Sequence, residues 1–194
     1  MRFRGTNMVE GIMKQIISEY SQLEEVEAIT IAGSRASMRN DEQSDIDIDL
    51  FTTSPISVDK RREIASKFSS NIEINNQFFG VGDEYFLKDT PIEIDVCFFD
   101  WQAILTGLER VIKHHQASTG YTTCFVHNVT RAEVIFDRHG NFANIQEKYR
   151  DVYSQELKEN IVKMNYPILR DCFSSYYAQI EKAIHHQDLN SINH

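Results

Sequence analysis

Hydrophobic positions recur at 9, 12, 13, 16, 17, 20 and 23 in the first stretch of the chain, the spacing of one helix face. Residues 27–32 (Glu-Ala-Ile-Thr-Ile-Ala) then read as a buried strand, and residues 45–50 alternate strictly between Asp and an aliphatic residue. Ser57 or Asp59 can cap a helix reaching about residue 69. Residues 72–79 read as a strand, 80–84 as a glycine-bearing turn and 91–99 as a further strand. Asp100 is suited to cap a helix that carries Trp101, Ile104, Leu105, Leu108 and Val111 to about residue 115. One more short strand is expected at 133–136, closed by a turn over 138–141. From about Phe142 the pattern is helical, with Leu157, Ile161, Met164, Ile168, Cys172, Tyr176, Ile180 and Ala183 at three- and four-residue steps, and Pro167 should kink or divide that stretch. The pattern predicts an α/β (α+β) chain: a small β-sheet flanked by helices over residues 1–140 and a helical region over 141–194.

The chemistry concentrates at Asp45, Asp47 and Asp49. On a strand these carboxylates share one face, with Ile46, Ile48 and Leu50 on the other. A row of like charges beside an apolar row needs a neutralising partner, and an Asp-x-Asp edge suits the hard oxygen coordination of Mg²⁺. At a rise of ~3.3 Å per residue, Asp45 and Asp47 stand roughly 6.6 Å apart and can converge on one ion, whereas Asp45 and Asp49, roughly 13 Å apart, cannot. An EF-hand loop would require Gly next and Glu at its twelfth position, where this chain has Leu50 and Ile56. A register with Asp47 and Asp49 as the pair is the alternative; the Ser44-Asp45 junction and the spacing from Ser34 favour Asp45 and Asp47, with Asp49 accessory.

Upstream, the strand at 27–32 runs into Gly33-Ser34, followed by Arg35. Such a strand-to-turn junction offers backbone N–H groups and a hydroxyl to a phosphate. Gly33-Ser34-Arg35-Ala36 through Ser44-Asp45-Ile46-Asp47 resembles the signature of the DNA polymerase β-like nucleotidyltransferases. More narrowly, it is similar to the bacterial branch containing aminoglycoside and lincosamide adenylyltransferases. The specific motif spans residues 26–51, and a looser likeness runs to about residue 100. The resemblance implies a mixed-sheet catalytic core over 1–140, a nucleoside triphosphate as substrate and a hydroxyl acceptor, a small molecule or a macromolecule. It implies two Mg²⁺ ions and in-line transfer of a nucleoside monophosphate. It also implies a third acid on a strand beside the Asp-x-Asp strand. Residues 91–99 carry Glu93 and Asp95 on one face, and Asp95 is favoured because it lies deeper in the apolar run, as metal ligand and general base. Catalysis is therefore expected from Asp45, Asp47 and Asp95, which also hold the metal, and nucleotide binding from Gly33, Ser34 and Arg35. In relatives of this kind a C-terminal helical region closes the cleft; here either a partner chain, such as a second copy, completes the short bundle or the chain is shorter than its relatives. The alternative function is a catalytically idle nucleotide-binding or toxin–antitoxin regulatory module of the same fold.

Composition narrows the field. The chain has 194 residues and a formal charge of −9, which disfavours a duplex nucleic-acid partner because such binding needs a basic face. Lys60, Arg61 and Arg62 read as a solvated helix face. No apolar run is long enough for a membrane span, and the N-terminal residues lack the apolar segment of a signal peptide. Cys97, Cys124 and Cys172 are odd in number and widely spaced, as expected of reduced thiols in a cytoplasmic protein. His114-His115 and His185-His186 are adjacent pairs that cannot clamp one ion from a helix face, and no serine or cysteine nucleophile motif is present.

Overall fold

The structure, a computed structural model, describes residues 7–32, 45–78, 80–188 and 190. Two compact units divide the chain: Met1–Thr106 with Asn128–Arg150, and Gly107–His127 with Asp151–His194.

The first unit is built on a sheet. Helix α1 (Asn7–Ser21) follows the predicted apolar stripe and leads into β1 (Val26–Ala32) and β2 (Ile46–Thr52). Helix α2 (Val58–Ser66) starts where Ser57 accepts a hydrogen bond from the Lys60 N–H. Strands β3 (Ile72–Asn76), β4 (Gly82–Phe86) and β5 (Glu93–Asp100) follow, and Asp100 Oδ1 caps α3 (Trp101–Ile112) by accepting from the Ala103 N–H at 2.7 Å. Helix α4 (Cys124–Arg131), β6 (Glu133–Asp137) and α5 (Asn141–Tyr149) come next. Gly140, at φ 73°, makes the turn into α5, a conformation that a Cβ would strain. The six described strands lie in the order β3-β4-β5-β2-β1-β6, with β2 and β5 parallel and the other pairs antiparallel.

Register sorts the side chains into two faces. Ile31, Ile48 and Val96 form one cross-strand row, and Ile29, Leu50 and Phe98 another. These rows pack with Val9, Met13, Ile16 and Tyr20 of α1 and Ile64 and Ala65 of α2 into the main core. The opposite face is aromatic at one end. There Phe51 pairs with Phe99, and Phe142 of α5 lies 4.6 Å from Phe51 and 6.3 Å from Trp101 between ring centroids.

Three predicted features are corrected. The segment 80–84 is a bend only at Gly80 and Val81: from Gly82 the chain forms β4, while β3 ends at Asn76, short of its predicted end. A slipped register between Ile74 and Asn76 makes the hairpin irregular. Arg61 does not belong to a solvated face. It is buried, with its guanidinium bonded through Nε (2.9 Å) and Nη2 to the Asp83 carboxylate, donating to the Gly82 carbonyl and lying 4.1 Å from the Phe98 ring centroid. Asn75 N–H adds a further bond to Asp83 Oδ1 at 2.9 Å, so a charge in the core is fully partnered. Arg138 likewise donates to the carbonyls of Ser21, Leu23 and Val26, fixing the α1–β1 turn.

The second unit holds α6 (Gln155–Tyr166), a π-helical turn (Pro167–Asp171) and α7 (Tyr176–His185), so Pro167 divides the predicted helix. Leu157 and Ala183 of the predicted stripe are buried, but Met164, Tyr176 and Ile180 are exposed.

The Arg61–Asp83 pair generates a stability test. Arg61→Met should cost about 3–5 kcal/mol in urea unfolding, because Asp83 is left buried and unpaired. The double variant Arg61→Met/Asp83→Leu should recover most of that loss, and Arg62→Ala should fall within about 0.5 kcal/mol of the parent.

Candidate metal and nucleotide site

The acids occupy the face of the sheet opposite the main core. Asp47 on β2 is the direct partner of Asp95 on β5, and Asp95 is in turn the partner of Glu84 on β4. One step along, Asp49 faces Cys97, which faces Gly82. The alternation seen in β2 produces this: Ile46, Ile48 and Leu50 are buried, and Asp47 and Asp49 are only partly so. Asp45 immediately precedes β2, is exposed, and its charge acts on Glu93. Five carboxylates of β2, β4 and β5 therefore share a face, with Asp45 at its edge.

Among the described residues, the group of three acids close enough to share one ion contains only Asp95 of the predicted Asp45, Asp47 and Asp95. One carboxylate oxygen from each of Glu84, Glu93 and Asp95 lies within 4.8 Å of the others. Glu84 is absent from the predicted acids because Gly80 and Gly82 make its segment read as a turn; the Asp83-Glu84-Tyr85 alternation is the signal that marks it. Asn76 Nδ2 donates to Glu84 Oε1 at 2.9 Å and orients that carboxylate.

Electrostatics shows the cost of the arrangement. Burial, then the charges of Glu84, Asp47, Glu93 and Asp45, raise Asp95 to about 6. Burial and the neighbouring Asp47 charge raise Asp49 to about 6 as well. Asp47 is raised by burial and by Asp45, and Glu93 by burial, Asp45 and Glu84. Cys97 is pushed up to about 11 by burial and the surrounding carboxylates, so at neutral pH it is a thiol and no nucleophile.

A divalent cation fits these residues. Asp95 Oδ1 is buried and, among the described residues, has no hydrogen-bond partner. An unmatched anionic oxygen beside two more carboxylates is a hard-oxygen donor set. Gly33, Ser34 and Arg35, the expected phosphate-binding residues, lie outside the described residues. Two histidines pair with acids away from this face: His139 Nδ1 lies 2.9 Å from Glu27 Oε2, and His115 Nδ1 lies 2.9 Å from Glu156 Oε2.

The chain is similar to a nucleotidyltransferase-like protein from Exiguobacterium sibiricum 255-15, with a TM-score of 0.43 and 14% identity, over 76% of this chain and 40% of that one. No match is found among curated proteins. The family described as "Polymerase beta, Nucleotidyltransferase" matches residues 14–114, more than half of the chain, including β1, β2, β4, β5 and every carboxylate of the shared face. The chain belongs to the polymerase β nucleotidyltransferase family.

Proposed function

We propose that the chain transfers a nucleoside monophosphate from a nucleoside triphosphate, ATP being the first to test, to a hydroxyl of a small-molecule or macromolecular acceptor, as in the bacterial adenylyltransferase branch it resembles. The observation that carries this reading is the register that sets Asp47 against Asp95 with an unpartnered Asp95 oxygen. Asp45, Asp47 and Asp95 would hold the Mg²⁺ ions. When bound, those ions supply charge stabilisation to the reacting phosphate and its leaving group. Asp95 serves as the base that takes the proton of the acceptor hydroxyl. Gly33 and Ser34 would present backbone donors and a hydroxyl to the triphosphate, and Arg35 its guanidinium. A reduced, cytoplasmic setting suits the three free thiols.

Metal-dependent pyrophosphate release is the direct test. Asp45→Asn and Asp47→Asn should abolish it. Asp95→Asn should lower turnover by ~10²–10⁴-fold, with little change in the affinity for a non-hydrolysable triphosphate. Glu93→Gln and Asp49→Asn should be milder. A folded parent protein that binds triphosphate and releases no pyrophosphate with any acceptor would mark the idle module instead.

The acid face also sets a pH dependence of stability. Asp95 and Asp49 have folded values near 6, above the ordinary carboxylate range, so the folded chain binds more protons than the unfolded one between pH ~4 and ~6. Without divalent metal, stability should therefore fall as pH rises through that window and level off above it. Because Asp95 is only half-buried, its nominal penalty is screened to about 1 kcal/mol. Asp95→Asn should be that much more stable than the parent at pH 7 in chelator, with a flatter profile, and added Mg²⁺ should close the gap. An unchanged profile in urea titrations across pH would show that the carboxylates do not repel.

A further inference from the structure

The second unit contains a cavity of about 480 Å³ that shares no residue with the acidic face. Its walls come from Cys124 and His127, in the part of α4 that belongs to this unit, from the loop before them, from Tyr153 and from one side of α6. The volume is in the range of small-molecule sites. Leu157, fully buried, and Ile161 form an apolar floor, and Tyr121 and Tyr153 supply aromatic rings.

The cavity is held open by polar pins. Asn160 Nδ2 donates to the His115 carbonyl at 2.9 Å. Asn165 Oδ1 accepts from the Gly120 N–H at 2.8 Å, and its Nδ2 donates to the Ser118 carbonyl at 3.2 Å. Gly120 sits at φ 79°, which allows the tight turn that brings Tyr121 to the wall. Side-chain amides of α6 therefore fix the loop backbone, so the cavity is shaped before any ligand arrives.

Charge selects the ligand. The chain carries 29 acidic and 20 basic residues, yet among the described residues no carboxylate lines this cavity, whereas Lys158 and His127 do. Hydroxyls of Tyr121 and Thr123 add donors suited to an anionic oxygen. We infer that the cavity of the second unit is a binding site for a small aromatic anion, its ring against Tyr121, Tyr153 and the Leu157/Ile161 floor and its charge at Lys158. The site shares no residue with the acid face, and its test does not depend on the transferase reading.

Cys124 reports occupancy, because it lines the cavity, while the exposed Cys172 does not. The experiment alkylates the full chain with iodoacetamide and follows both cysteine peptides by mass spectrometry, with indole-3-carboxylate and its neutral carboxamide as probes. Indole-3-carboxylate should slow Cys124 alkylation in a saturable way and leave Cys172 unchanged, and the carboxamide should protect only at higher concentration. Lys158→Gln, a change at an exposed position, should raise the half-protecting concentration of the carboxylate about three- to fivefold and leave that of the carboxamide unchanged. Equal protection by the two probes, equal slowing of both cysteines, or no protection in the low millimolar range would overturn the proposal.

Discussion

The parallel pairing of β2 with β5 forces like charges together, and the rest of the first unit is arranged around that constraint. Seven consecutive residues of β2 are matched, from Ile46 with Ile94 to Thr52 with Asp100. Because side chains alternate, the register that buries Ile46, Ile48, Ile94 and Val96 also places Asp47 against Asp95. Slipping by one residue would relieve the repulsion but would expose the whole aliphatic row. Hydrophobic burial, at ~25 cal/mol per Å², outweighs the repulsion between half-solvated carboxylates. The core therefore holds the acids in place at its own expense.

The two faces of the sheet treat acids in opposite ways. On the core face, Asp83 is surrounded by Arg61 and the Asn75 N–H, and nothing further is needed to satisfy it. On the other face, one step away in β4, Glu84 stands with Glu93 and Asp95, and Asp95 keeps an oxygen with no partner. A structural acid is neutralised by the protein itself. A cluster left unneutralised is what a site for an external cation requires, and the elevated proton affinity of Asp95 and Asp49 is the physical signature of that difference.

Much of this was legible because strands with one buried face have an unambiguous period. Asp45, Asp47 and Asp49 announced a strand, and Glu93 and Asp95 its neighbour, since isoleucine and valine alternate with the acids. Glu84 was hidden by Gly80 and Gly82, which locally signal a turn; whether such a segment adds a strand is decided by the edge of β5 it pairs with, not by its own propensity. Arg61 was misread because a basic run on a helix is ordinarily solvated, and only the distant Asp83 draws it inward. Helix α4 spans only eight residues, and its buried Val126/Val129 face is too short to stand out as a stripe. The stripe after Leu157 was real, but an apolar period does not say whether its face is covered, and Phe173, Tyr176 and Ile184 are exposed.

What remains is why the acids lie toward the beginnings of β2 and β5 and not toward their ends. In open sheets with parallel strands, ligands commonly sit beyond the carboxyl ends. Here that end of the acid face is filled: Phe51 and Phe99 stack at 5.5 Å, and Phe142 and Trp101 close over them. Asp137 holds the first turn of α5 by accepting from the Ala143 N–H at 2.9 Å, which keeps Phe142 against Phe51. The same face thus changes from aromatic and covered at Phe51 to anionic and only partly buried at Asp47 within four residues. Among the described residues the part of this face left open is the Asp47 end, so the aromatic plug, as much as the carboxylates, sets where on the sheet a cation could be held.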